Sequence, residues 1–410
     1  MRKFIRTSLE QILKTLAMLT LKKYRPGIIG VTGSVGKTST KNAIALVLGS
    51  LKTVRVNPGN FNNEIGLPLT ILGEWNQISG FFFWPKVIFF SVLRLIIKTT
   101  YPEYLVLEYA ADKPGDIKYL LSIAKVNIGV ITAIGDMPVH VEFYPNPEAV
   151  AREKARLIET LPTSGFAVLN TDESRVIEMR ERTRAHTISF GFNPNADMRI
   201  TNYEIKTEAK KPIGISFKLE YGGSFIPVRM SGVFGRQIAY AAAAGAAVGV
   251  SFGMHLVRIA ESLVMYTAAE HRMNLIPGIK NTYIFDDAYN ASPLSMEAAF
   301  ETVKSLPAKR RVSILGDMLE IGEYAPEAHE TLGKKAAKIF DVVVTVGPRA
   351  KLLSSAARNS GMHPKNIHSF DTAEEAEFKI QDFVKEGDLI LVKGSRAMRL
   401  EKLVEALRAA

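Results

Sequence analysis

The stretch Gly30-Val31-Thr32-Gly33-Ser34-Val35-Gly36-Lys37-Thr38-Ser39 decides how this chain is read. It follows the apolar pair Ile28-Ile29 and opens a helix-like segment from Thr38 to Leu48. A strand that turns through small residues into a helix leaves backbone N–H groups pointing outward, and the helix N-terminus adds positive potential. In such a loop Lys37 supplies a mobile charge for β- and γ-phosphates and Thr38 a hydroxyl for Mg²⁺. Gly33, Ser34, Val35, Gly36 and Ser39 form the surrounding cradle. The common G-x-x-x-x-G-K-[ST] pattern wants glycine where Val31 stands, so this is the shorter T-G-x-x-G-K-T form.

A chain of 410 residues has room for two or three domains with separate cores. Its 47% hydrophobic and 23% charged residues are those of a globular protein. Cysteine is absent, which excludes disulfides, zinc-thiolate sites and cysteine nucleophiles and is compatible with a reducing compartment. The net charge of +11 is concentrated in two places. Residues 1–25 hold seven basic side chains against Glu10 alone, and residues 75–101 add Lys86, Arg94 and Lys98 with no acid. The remainder is nearly neutral. A nucleic-acid binder needs a basic face across a folded domain, so that class is excluded in favour of two local basic, apolar elements.

The first element repeats Ile5, Leu9, Ile12, Leu16 and Leu19 at helical spacing, which predicts an amphipathic helix over 1–25 ending near Pro26. The second, FFFWPKVIFFSVLRLII over 81–97, is dense in aromatics, interrupted by charge and too short for a full span. For both, two placements compete. The first helix either packs against the next domain or lies on a membrane surface. The second stretch is either a buried or dimer-forming helical hairpin or a membrane-surface insertion.

Between them, the Asn-rich segment from Asn57 to Pro68 reads as a loop before a helix, with Asn62 and Asn63 as substrate-binding candidates. Tyr104 to Leu107 is a short strand delivering Glu108, and Asn127 to Thr132 is another, leading to His140. Ligands of parallel α/β sheets bind at the carboxyl ends of strands, so Glu108 and His140 are expected to open onto the face holding Lys37 and to form a Mg²⁺ site with it. Glu148 to Leu161 is a helix carrying Lys154, and Ala167 to Asn170 is a strand. Alternation from about Thr187 to Met230, with Gly222-Gly223 as a hairpin turn, predicts a small antiparallel subdomain. A boundary near His271-Arg272 divides the chain into 26–270 and 271–410. The second part shows four buried-type strands ending in polar groups, as expected of a doubly wound α/β domain.

Five segments in order resemble the Mur ligase family, on the MurF-type branch that joins D-alanyl-D-alanine to a UDP-muramoyl tripeptide. They are Thr32 to Lys41, Phe61 to Thr70, Asp286 to Met296, Leu315 to Gly322 and Val392 to Arg396. The resemblance implies an α/β fold in which a P-loop ATPase domain with a mainly parallel sheet precedes a Rossmann-like C-terminal domain. It implies an ATP-dependent amide ligase of peptidoglycan precursor synthesis that works through an acyl phosphate. ATP and Mg²⁺ would be its cofactors, nucleotide and peptidoglycan-precursor small molecules its partners, and the cytoplasm its place. Peripheral contact at the inner membrane surface through 1–25 and 81–97 is one of the two placements that those stretches themselves leave open.

By position, Lys37 and Thr38 would hold phosphate and metal, with Glu108 and His140 as metal ligands. Lys154 falls where the family often carries a carbamylated lysine. Asn170, Arg272 and Asp287 would contact the nucleotide, Arg272 and Asp287 as the pair that closes on it. Tyr289, Asn290, Lys393, Ser395 and Arg396 fall on the substrate side, and His329 on a dipeptide-side or structural position. Three departures stand out. Only 29 residues precede Gly30, fewer than the family's UDP-sugar-binding domain needs. The G-x-H-N-x-x-N adenine-side pattern reads Gly235-Arg236-Gln237-Ile238-Ala239-Tyr240 after Phe234. The 81–97 stretch lies outside the pattern. A relative joining a different, membrane-linked carboxylate and a non-catalytic ATP-binding relative are the competing functions; retention of Lys37, Thr38, Glu108, His140 and Lys154 together speaks against the second.

Overall fold

The computed structural model describes residues 2–59, 61–75, 77–80, 82–208 and 211–409, and backbone only for 2–5. Phe81, the first residue of the aromatic stretch, and the side chain of Ile5 lie outside the described residues. The strands are β1 (Gly27–Thr32), β2 (Val54–Val56), β3 (Tyr104–Glu108), β4 (Ile128–Ile131), β5 (Phe166–Asn170), β6 (His186–Gly191), β7 (Met198–Glu208), β8 (Lys211–Tyr221) and β9 (Ser224–Ser231) in one sheet. A second sheet holds β10 (Asn274–Gly278), β11 (Thr282–Asp287), β12 (Arg311–Gly316), β13 (Val342–Val346), β14 (Ile367–Phe370) and β15 (Leu389–Lys393).

The first sheet runs β2-β3-β1-β4-β5-β6-β7-β8-β9. Pairing is parallel from β2 to β7 and antiparallel from β7 to β9. The alternating segment therefore extends the main sheet, because β6 pairs in parallel with β5 and hands the edge on to β7. The second sheet runs β10-β11-β15-β12-β13-β14, parallel apart from the edge strand β10. Central strands are apolar on both faces, as parallel strands covered by helices on both sides must be.

The early helices are α1 (Arg2–Tyr24), α2 (Lys37–Gly49), α3 (Gly66–Leu72), α4 (Phe83–Ile96), α5 (Asp116–Ile123) and α6 (Pro147–Glu159). Behind the sheet α2 packs on the alanine-rich helix Arg236–Ser251, and Gly245 lets the two backbones approach: a Cβ there would lie 3.1 Å from the Ala43 carbonyl carbon. On the other face lie α1, α3, α4, α5 and α6. The buried face of α1 is Leu13, Leu16, Ala17 and Thr20, while Ile12 and Leu19, both expected inside, are exposed. Of the two placements, α1 takes packing along that face.

The aromatic stretch forms one helix, not a hairpin. Pro85 sits in the first turn of α4, where its missing N–H costs nothing, and no turn residue follows before Ile97. Its Phe83, Val87 and Ser91 are buried at successive turns. The opposite face stays in solvent.

Candidate active site

β1 ends at Thr32 between β3 and β4, and the chain then turns through Gly33–Gly36 into α2. Two glycines make the turn. Gly33 has φ +146°, and a Cβ there would lie 2.0 Å from Thr132 Oγ1; Gly36, at φ +86°, precedes the first helical residue. The N–H groups of Ser34 and Val35 donate to the Ala133 carbonyl, which braces the loop on the exit of β4. Lys37 Nζ folds back to the Gly33 carbonyl at 2.9 Å.

Register carries Glu108 to the same place, since Val31 pairs with it across β1 and β3. Its carboxylate, 3% exposed, accepts from Thr38 Oγ1 at 3.1 Å and Asn62 Nδ2 at 3.0 Å, and Lys41 Nζ lies 3.9 Å away. Asn57 Oδ1 accepts from the Glu108 N–H, while Lys41 donates to the Asn57 carbonyl. Lys41 and Asn57 thus fix the Asn-rich loop and the acid together. Neither carries a role that the sequence alone assigns.

A cavity of about 230 Å³ is lined by the loop, Thr38, Ser39, Asn62, Glu108, Asp112, His140 and Lys154. From the second half of the chain come Arg272, Asp287, Tyr289, Asn290 and Lys393. Four cationic side chains, Lys37, Lys154, Arg272 and Lys393, therefore converge on one hollow. Burial depresses the Lys37 ammonium; Glu108 acts against that and the Arg272 charge with it. Burial also acts on Lys154, which is brought down to about 7, with the Lys37 charge adding to the effect. Lys154 is 1% exposed on α6, and its Nζ makes no ion pair or hydrogen bond among the described residues. Asn146 caps that helix by accepting from the Ala149 N–H at 2.9 Å.

Asp287 lies 2.5 Å from Lys393 Nζ and accepts from the Met273 N–H. Arg272 stacks instead on the Tyr289 ring at 4.1 Å. Arg272 and Asp287, the two residues expected to close on the nucleotide, thus both stand at the cavity wall, each in its own arrangement. His140, at φ +69°, places Nε2 3.3 Å from Asp112 and Nδ1 3.2 Å from Glu320, which comes from the second half of the chain. No cluster of three or more His, Asp or Glu side chains arranged to hold a metal occurs among the described residues.

A second cavity of about 800 Å³ meets the first at Val35, Gly36 and Gln237. Asn170 lies there, accepting from the Asp172 N–H, beside Phe192, Tyr203 and Tyr240. Arg236 stacks on Phe192 at 3.8 Å, and the Tyr240 hydroxyl donates to Asp172 at 2.6 Å. These are the positions where the adenine-side pattern departs.

Three expected substrate residues stand elsewhere. Asn63 Oδ1 accepts from the Ile65 and Gly66 N–H groups and so starts α3. Ser395 accepts from the Leu319 N–H, and Arg396 lies 5.7 Å from the Tyr289 ring, outside both cavities. His329 is fully buried; its Nε2 accepts from the Met318 N–H while Nδ1 donates to the Ala325 carbonyl. It holds the loop after β12 in place.

Comparison with known proteins joins these observations. The Mur ligase middle domain matches residues 31–81 and 91–249, and the Mur ligase glutamate ligase domain matches residues 271–396. The chain belongs to the Mur ligase family. This Mur ligase is 31% identical to the UDP-N-acetylmuramoyl-tripeptide–D-alanyl-D-alanine ligase of Mycobacterium bovis, over 93% of its own length and 73% of the relative's. It is 30% identical to the ligase of the same name from Bacillus subtilis, over 96% and 79%. The crystal structure of MurF ligase from Thermotoga maritima in complex with ADP superposes with a TM-score of 0.78 at 27% identity, covering 97% of this chain and 83% of that one.

Proposed function

We propose that this Mur ligase joins D-alanyl-D-alanine to a UDP-muramoyl tripeptide at the expense of ATP. The observation that carries this is the single cavity in which the Gly33–Gly36 loop, Lys37 and the Thr38–Glu108 pair face Arg272 and Lys393. Its relatives' activity supports the choice of substrates. The triphosphate would lie along the loop, with the base towards the larger cavity past Gly36 and Gln237, near Asn170.

The substrate carboxylate oxygen attacks the γ-phosphorus, the bond to the β–γ bridging oxygen breaks, and ADP leaves. The product is an acyl phosphate. The dipeptide amine then attacks the acyl carbon, forming a tetrahedral intermediate, and collapse expels inorganic phosphate as the nitrogen gives up its proton. Both steps need charge stabilisation more than covalent help from the protein, and Lys37 and Arg272 at the cavity wall would supply it. His140 stands at the cavity wall between Asp112 and Glu320.

The Thr38 hydroxyl and the buried Glu108 carboxylate, already 3.1 Å apart, fit Mg²⁺, a hard cation that takes few protein oxygens and keeps phosphate and water for the rest. When bound there, it neutralises charge on the phosphoryl oxygens. His140 has both ring nitrogens against carboxylates, so Thr38 and Glu108 are the ligands this arrangement favours. Lys154 suits carbamylation because only a neutral amine attacks carbon dioxide, and burial holds a large share of this one neutral near pH 7. The carbamate would add an oxygen ligand. The experiment is to incubate the chain with ATP, Mg²⁺, UDP-muramoyl tripeptide and D-alanyl-D-alanine and to weigh the products. A new mass of tripeptide plus dipeptide less water, with equal ADP and phosphate, is expected; ADP formation that ignores both substrates would overturn the proposal.

A further inference from the structure

Residues 82–90 fall in the gap between the two matched stretches of the middle domain, so the first half of α4 is not something the family pattern calls for. Its buried face packs on α1 and the α3 region. Its outer face exposes Phe82 (75%), Phe89 (62%) and Ile96 (76%), with Phe90 and Val92 beside them. α1 runs alongside and ends with it: Lys23 Nζ donates to the carbonyls of Arg94, Leu95 and Ile97, and the Tyr24 hydroxyl donates to that of Arg94. On its own outer side α1 exposes Ile12, Met18 and Leu19. Single exposed hydrophobics are ordinary, but aromatics gathered on one helix face mark a surface that meets something.

Charge decides what it meets. No acidic residue occurs from 75 to 101. Exposed Lys22, Arg25, Lys86 and Lys98 make no ion pair among the described residues, and the one acid of α1, Glu10, is taken by Arg6. A second copy meeting this face across a two-fold axis would bring cation against cation. An anionic lipid layer accepts both parts of the face, headgroups for the cations and the acyl boundary for the aromatics. No helix among the described residues is long and apolar enough to cross a membrane, so the contact is one of lying on the surface.

We infer that α1 and α4 dock the enzyme on an anionic phospholipid surface, with Phe89, Phe90 and Ile96 entering the headgroup boundary and Lys22, Lys86 and Lys98 meeting the headgroups. The face is coupled to the cavity: Arg6 on α1 pairs with Glu64 at 2.6 Å, in the loop whose Asn62 holds Glu108.

Flotation of the full chain with vesicles of equal phosphatidylglycerol and phosphatidylcholine, against vesicles of phosphatidylcholine alone, tests this. Binding is expected on the anionic vesicles at low salt and loss of it at high salt. The double substitution Lys86→Ser with Lys98→Ser should weaken binding about thirtyfold, roughly fivefold for each cation. Phe89→Ser with Phe90→Ser and Ile96→Ser should abolish it while circular dichroism and phosphate release in solution stay unchanged. Equal binding to both vesicle types, or none to the anionic vesicles at low salt, would overturn the inference. So would a dimeric mass by light scattering that the aromatic substitutions convert to monomer without any vesicle binding.

Discussion

Lys37 has no carboxylate within ion-pair distance among the described residues and rests on the Gly33 carbonyl, so its charge is available to a phosphate rather than committed to the fold. Replacing it with alanine should leave circular dichroism and melting nearly unchanged and lower the ligation rate by about a hundredfold or more, on the order of 3 kcal/mol. Activity within about threefold of the wild type would remove it from phosphoryl transfer. Lys154 makes a different prediction. Its folded value, about 7, lies below the ordinary 10.5, so between those limits the unfolded chain holds the extra proton and stability rises with pH. In bicarbonate-free buffer Lys154→Met should flatten that rise by about 1.4 kcal/mol per pH unit, read from urea unfolding at a series of pH values. An unchanged slope would mean that Lys154 stays charged in the fold. Glu108, at the end of a short apolar strand, was legible as a residue opening onto the phosphate loop. Asn63 was not, because an amide three residues before the start of a helix serves a cap as readily as a substrate, and spacing cannot separate the two.

At the scale of elements, the strand–loop–helix unit was readable because its glycines have a physical reason visible in the order of residues. The structure supplies the measure of it. At Gly33 a Cβ would strike Thr132 Oγ1, which is itself held by the carbonyls of Thr32 and Val35, whereas at Gly49 a Cβ meets nothing within 4 Å. Gly33→Ala should therefore cost about 1 to 3 kcal/mol and impair nucleotide binding, while Gly49→Ala should be neutral or stabilising by up to about 1 kcal/mol. Thermal melts with and without ADP check both; equal effects at the two positions would contradict the loop geometry. The inward face of α1 was harder to read. Its apolar residues exceed what one face can bury, and neighbours distant in sequence, α3, α4 and α5, choose Leu13 and Ala17 over Ile12 and Leu19.

Across the whole molecule the cavity is closed by residues far apart in sequence. His140 meets Glu320, Glu142 Oε2 accepts from the Gly322 N–H at 3.3 Å, and Arg272 and Lys393 face Lys37. Such partners leave no local pattern. Glu320 lies in a segment that the family resemblance picks out, but only the structure pairs it with His140, and Asp112 carries no sequence signal at all. Because these contacts span the two halves, they are where closure would keep water from the proposed acyl phosphate. Glu320→Gln should loosen that seam, so that phosphate released per amide bond formed rises above one at saturating substrates; a ratio that stays at one would show that the pair does not guard the intermediate. The central claim, that the carboxylate is activated by phosphorylation in this cavity, is tested most directly with the acceptor tripeptide labelled with ¹⁸O in its reacting carboxylate. Mass analysis of the inorganic phosphate should find one labelled oxygen for each amide bond formed, and phosphate without label in the presence of new amide would contradict the account.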